Sequence, residues 1–164
     1  MRTKTLILSG AVCLLMALKP ALAQSTLFSG EWNFNKEKST ALNNQLFLSK
    51  ITVLQQTDSL FTTRVYQNEY GELYPFKENL PLNGTECAIV IYDMPRKAKA
   101  SLSANQKLML FESTTTFYGN NGRDDLKSKE TWTLANGGKA LKIDYALNYS
   151  AGSSEGTLYF DKAE

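Results

Sequence analysis

The chain has 164 residues, with 18 Lys and Arg against 16 Asp and Glu, two cysteines and no histidine. Without histidine there is no Ser-His-Asp or Cys-His catalysis and no His-rich zinc site. Cys13 lies in an N-terminal apolar run, which leaves Cys87 alone in the remaining chain and allows no intramolecular disulfide there.

The N-terminus reads as a leader. Arg2 and Lys4 precede an apolar run from Leu6 to Leu18, Lys19-Pro20 ends it, and Ala21-Leu22-Ala23 is a small-x-small cleavage site. The expectation is a signal peptide over 1–23, cleaved after Ala23, and one domain over 24–164 in the periplasm or outside the cell. The apolar run is short for a bilayer, so no membrane span is expected. Val12 stands before Cys13 where lipid attachment wants a small residue. Loss of the leader removes Arg2, Lys4 and Lys19 and leaves 15 basic against 16 acidic residues, a net charge of −1. No basic face for nucleic acid follows from that balance. The densest basic run, Arg96-Lys97-Ala98-Lys99, reads as a solvated strand edge or turn.

The remaining chain alternates polar and apolar residues in short runs. Phe28, Gly30, Trp32 and Phe34 share one face of a first strand. Residues 35–44 are polar and broken, a loop or a single helical turn. Ile51 to Gln56 and Leu60 to Gln67 form a hairpin across Thr57-Asp58-Ser59. Tyr74 to Leu80 is a strand whose Pro75 argues for an edge position. Asn83-Gly84 is a strong two-residue hairpin signal and predicts pairing of that strand with Glu86 to Tyr92. Arg96 to Leu102 and Lys107 to Tyr118 follow as a pair, and the run Leu108 to Phe111 predicts cover on both faces. Asp125 to Leu134 and Leu141 to Tyr149 flank Asn136-Gly137-Gly138, which supplies the positive φ angles of a hairpin. Ala151 to Ser154 is a loop and Gly156 to Asp161 the last strand. No long helical period is present. Nine or ten strands joined by short loops favour an up-and-down meander, closed as a barrel or packed as a sandwich.

The opening Phe28-Ser29-Gly30-Glu31-Trp32, with Gly-x-Trp followed by a meander, resembles the first strand of lipocalin-like and fatty-acid-binding-like barrels, the calycin group. Gly30 to Ser39 and the late Trp132-Thr133-Leu134 with Gly137-Gly138-Lys139 are similar to small secreted lipocalin-like proteins of the Bacteroidetes. The resemblance implies a single antiparallel up-and-down β-barrel of about 8–10 strands. Departures limit what it carries. The mid-chain Thr-Asp-Tyr motif of lipocalins is missing, and the last strand reads Leu158-Tyr159-Phe160 without the Arg-x-Tyr that holds a carboxylate in fatty-acid-binding proteins. An Arg64-Val65-Tyr66 triplet stands instead on an early strand, and residues 35–50 leave little room for a helical lid.

The ligand-binding candidates are Trp32, Arg64, Tyr66, Trp132, Tyr145 and Tyr149. Arg64 and Tyr66 share a face with Leu60 and would offer a cation and a phenol to an acidic ligand inside a barrel. Polarity favours the opposite arrangement, with Phe61 and Val65 on the core side and Arg64 in solvent. Trp32 and Trp132 would line a cavity or pack the barrel, and the resemblance favours packing for Trp32. Tyr145 and Tyr149 continue the face of Leu141, Ile143 and Leu147, where a phenol suits a cavity and a core equally. Asp124-Asp125, Glu112, Glu130 and Asp144 are the carboxylates with which acid–base work would have to be done, and of these Glu112 and Glu130 stand on neighbouring strands where a pair could meet. Lys129 and Lys142 are expected to neutralise such strand carboxylates. The expectation is therefore no enzyme, no cofactor and no metal, but a barrel binding a small apolar or amphipathic ligand, with protein partners left open. That reading requires a cavity of roughly 300 Å³ or more. An interior filled by Trp32, Phe111, Trp132 and Tyr145 would instead favour an envelope or extracellular interaction module without a small ligand.

Overall fold

The computed structural model describes residues 27–40, 46–119 and 122–164, so the expected leader lies outside the described residues. Among these residues ten strands follow one another: β1 (Gly30–Asn35), β2 (Leu46–Gln55), β3 (Ser59–Asn68), β4 (Leu73–Pro81), β5 (Cys87–Ile91), β6 (Met94–Leu102), β7 (Leu108–Gly119), β8 (Gly122–Ala135), β9 (Ala140–Tyr149) and β10 (Gly152–Lys162). Among the described residues no helix is long and apolar enough to cross a membrane.

The strands form one antiparallel sheet in the order β4-β3-β2-β1-β10-β9-β8-β7-β6-β5. Consecutive strands pair except at one place, and β1 joins β10 to bring the two halves together. The result is a nearly closed up-and-down barrel with a single seam between β4 and β5. The pairing that Asn83-Gly84 predicts between those strands does not form. Gly84 takes a positive φ of 80°. Its N–H, however, donates to Ala100 O at 2.9 Å, and Asn83 bridges to Ser101 on β6. The turn is thus captured by the next hairpin. Pro75 does sit on an edge strand, as its missing N–H requires.

Two local features set which side chains enter the barrel. A bulge at Ser49 shifts the β2–β3 register between Leu48 and Lys50, with Ser49 Oγ donating to Val65 O at 3.0 Å. The extra residue exchanges odd for even. Leu48 is buried before it, and Ile51, Val53 and Gln55 after it. At the tip of the β8–β9 hairpin, Asn136, Gly137 and Gly138 all take positive φ.

One end of the barrel is closed by the Gly-x-Trp strand. Trp32 is fully buried, and its Nε1–H donates to Phe28 O at 3.0 Å. Lys162 lays its ammonium over the indole at 5.3 Å. Ile51, Leu60, Leu80, Met109, Leu141 and Phe160 fill the space above, each fully buried.

Two expectations about faces are corrected here. Leu110 is 41% exposed while Met109 and Phe111 point inward, so the Leu108–Phe111 run is covered on one face only. On β3 it is Leu60, Thr62, Arg64 and Tyr66 that face the interior, and Phe61 is 37% exposed. Cross-strand register enforces this. Arg64 lies between Ile51 and Phe76, and Leu60 between Gln55 and Leu80.

Candidate functional site

The interior above the Trp132 level carries a charged network. Arg64 is 1% exposed, and its Nη1 donates to Glu130 Oε1 on the facing β8 wall at 2.8 Å. Glu78 on β4 lies beside it, with Oε2 at 3.3 Å from Arg64 Nε. The other oxygen, Glu78 Oε1, accepts from Arg96 Nε on β6 at 2.7 Å, across the seam. Arg96 also donates through Nη1 to Thr115 Oγ1 at 3.0 Å. Glu130 Oε2 accepts the Trp132 indole N–H at 2.7 Å. Two cations and two anions therefore balance inside the barrel and link β3, β4, β6 and β8.

Aromatic rings wall this network. Arg64 lies 5.1 Å from the Phe111 ring centroid and 5.2 Å from that of Trp132, two rings that pack 4.5 Å apart. Arg96 lies 5.8 Å from Phe76, which stacks on Tyr66. The satisfaction is incomplete. Arg64 Nε and Nη2, Glu78 Oε2 and Thr62 Oγ1 are buried without a hydrogen-bond partner. The 3.3 Å Arg64–Glu78 approach is thus an ion pair not aligned as a hydrogen bond.

The electrostatics follow from burial and pairing. Desolvation alone would raise the Glu130 carboxyl, but the Arg64 charge and the Arg64 and Trp132 hydrogen bonds outweigh it and hold the group below its ordinary value. Desolvation opposes the charge on Arg64, while Glu130 and Glu78 stabilise it, and the guanidinium is pushed up. Burial pushes the Tyr66 phenol up against the opposing pull of Arg64, which keeps it neutral near neutral pH.

A cavity of about 80 Å³ sits over Glu130 at one end of the barrel. Its wall is aliphatic, from Leu48, Ile143, Leu147 and Leu158, with Leu46 and Phe47 also lining it. Its polar points are Glu130 and the phenols of Tyr66 and Tyr145, and neither phenol has a hydrogen-bond partner among the described residues. Gly156 makes room for Tyr145 on the opposite strand. A Cβ there would come within 2.8 Å of the phenol oxygen and 3.1 Å of Thr40 Cβ.

Arg64, Tyr66, Trp132 and Tyr145 are thereby brought into one region of the interior. Arg64 and Trp132 lie behind Glu130, whereas Tyr66 and Tyr145 line the cavity. Trp32 packs the closed end, and Tyr149 is 41% exposed at the end of β9, outside the cavity lining. Arg96, expected in solvent, turns inward and is half-buried against Glu78. Glu112 and Glu130 face opposite ways. Glu112 meets Lys99 at 2.8 Å and Lys129 at 3.8 Å on the outer surface.

Glu78, Arg96 and the inward role of Glu130 were missed from the sequence. The signal for each is parity. Glu78 alternates with Phe76 and Leu80, Glu130 with Trp132 and Leu134, and Arg96 with Ala98 and Ala100.

No family model matches the chain, and no curated protein sequence does. Among solved structures, the crystal structure of zebrafish ileal bile acid-binding protein complexed with cholic acid is similar at 12% identity and a TM-score of 0.48, over 84% of this chain and 99% of that one.

Proposed function

We propose that the protein binds one end of a small amphipathic molecule within the barrel, and does so as an exported protein whose mature chain begins at Gln24. The observation that carries this is the cavity over Glu130, apolar on its wall and polar at three points. That is the usual composition of a small-molecule site. Its size limits what enters. About 80 Å³ is the space of two or three waters at ~30 Å³ each, well under the ~300 Å³ of a typical whole-ligand pocket. The rest of the molecule extends past Leu46 and Leu147, or those side chains withdraw.

The test is native mass spectrometry on protein purified from the cells that make it, followed by organic extraction. A discrete adduct, released on denaturation and lost in Leu147→Trp, is the expected result. The same spectrum reads the N-terminus, expected at Gln24. An apo mass, together with no response to added amphiphiles in calorimetry, overturns the reading.

One observation favours a second reading, that of an interaction module. Trp32, Phe111, Trp132 and Tyr145 are all buried in the interior. A concavity of about 660 Å³ lies on the outside of the β5–β8 wall. It is lined by Val90, Pro95, Lys97, Tyr118 and Arg123 among others. Val90 and Tyr118 are 71% and 74% exposed there.

A further inference from the structure

The charges around the cavity restrict the chemistry of what it takes. Among the charged groups of the network, Glu130 lines the cavity, while Arg64 stands behind it and pairs with it. Arg64, Arg96, Glu78 and Glu130 sum to zero, so the network has no charge left for a ligand to neutralise. We propose, on the reading that the barrel binds an amphiphile, that the molecule enters head first and that its head is an uncharged hydrogen-bond donor, an alcohol rather than a carboxylate or an amine.

The reasoning runs from the atoms. Each Glu130 oxygen already accepts one hydrogen bond, from Arg64 and from Trp132 respectively. An ionised carboxylate oxygen has a further lone pair, and what faces it must donate. The neighbouring phenols of Tyr66 and Tyr145 can donate to or accept from a hydroxyl, which does both. A carboxylate head would be desolvated against Glu130 with no free cation in the cavity lining. An ammonium head would lose its water for an anion that Arg64 already neutralises. A methyl end entering first would strip water from Glu130 and return no hydrogen bond.

The test is calorimetric titration of the full mature protein with three probes of one chain length, 1-octanol, octanoate and octylamine, near neutral pH. The expected ranking places octanol at least about tenfold tighter than either charged probe. Leu147→Trp, at a half-exposed position of the wall, is expected to weaken all three and so locate the binding. Glu130→Gln is expected to narrow the gap between octanol and octanoate. If that variant does not fold, the wild-type ranking and Leu147→Trp decide. Octanoate or octylamine binding as tightly as octanol, with loss in Leu147→Trp, overturns this inference and leaves the barrel-binding reading standing. No heat and no saturation with any probe overturns both.

Discussion

Glu130 is the residue on which the interior turns, because it ties the β3 cation to the β8 wall and is the ionised group that lines the cavity. Its carboxyl is held below the ordinary value near 4.5 by Arg64 and Trp132 against the opposing effect of burial. The sign of the linkage follows. In the unfolded chain the group takes a proton below about pH 4.5, while in the folded chain it does not until lower pH. Its contribution to stability is therefore complete above pH 4.5 and lost as pH falls through the folded value. Glu130→Gln should cost on the order of 3 kcal/mol near neutral pH, since it leaves Arg64 short of a buried partner. It should also flatten the acid limb of stability against pH, and urea melts of both proteins from pH 7 to pH 3 would check this. An unchanged acid limb would place the titrating carboxylates elsewhere. This residue's inward side was legible in its alternation with Trp132 and Leu134. That of Arg64 was not, because Phe61 and Val65 on the other face of β3 are the more apolar set. Burial of a paired arginine reverses the usual inference from polarity.

The hairpins were largely readable, since each needs positive φ angles or a local hydrogen bond that particular residues supply. Where the reading failed, a tertiary contact had overridden a local one. β2 starts at Leu46 rather than Ile51 because the Ser49 bulge breaks the alternation that would reveal a strand. Asn83-Gly84 turns the chain without pairing its flanks because β6 takes the hydrogen bond. The β5–β6 hairpin is the converse, a tight turn that forms without glycine where Asp93-Met94-Pro95 already signals a reversal. Ile91 pairs with Met94, and the two residues between, Tyr92 and Asp93, have φ of 49° and 64°. Both are left-handed, the geometry for which the second position prefers glycine. Asp93→Gly should therefore stabilise the protein, because relief of the left-handed strain exceeds the added flexibility of the unfolded chain. The net gain should be about 0.5 kcal/mol, or roughly 2 °C in Tm, measurable by calorimetry. Destabilisation would mean that the Asp93 side chain contributes more than its backbone strain costs.

At the scale of the molecule, the seam is the one interruption in the ladder among the described residues. β4 and β5 each lack a partner on one side, and an isolated edge of this kind exchanges or aggregates unless something covers it. Side-chain links from Tyr92 and Arg96 span the gap in place of a ladder. Tyr92 Oη donates to Pro75 O at 2.5 Å, with the Tyr74 and Tyr92 rings edge to face at 6.5 Å. Inside, Arg96 reaches Glu78. A few side-chain links resist separation less than a full set of backbone hydrogen bonds does, so sub-global opening should begin here. The aliphatic wall of the cavity comes from β2, β9 and β10, with Tyr66 of β3 and Glu130 of β8 as further lining, and β2, β9 and β10 are paired on both sides. Opening confined to the seam should therefore leave the aliphatic wall from β2, β9 and β10 in place. Native-state hydrogen exchange tests this directly. Amides of β4 and β5 should be the least protected of the barrel, those of β9 and β10 should approach global stability, and Tyr92→Phe should lower protection in β4 and β5 selectively. Equal loss of protection in β9 would show that the barrel opens as a single unit, and that the side-chain links across the seam hold it as firmly as strand pairing holds the rest.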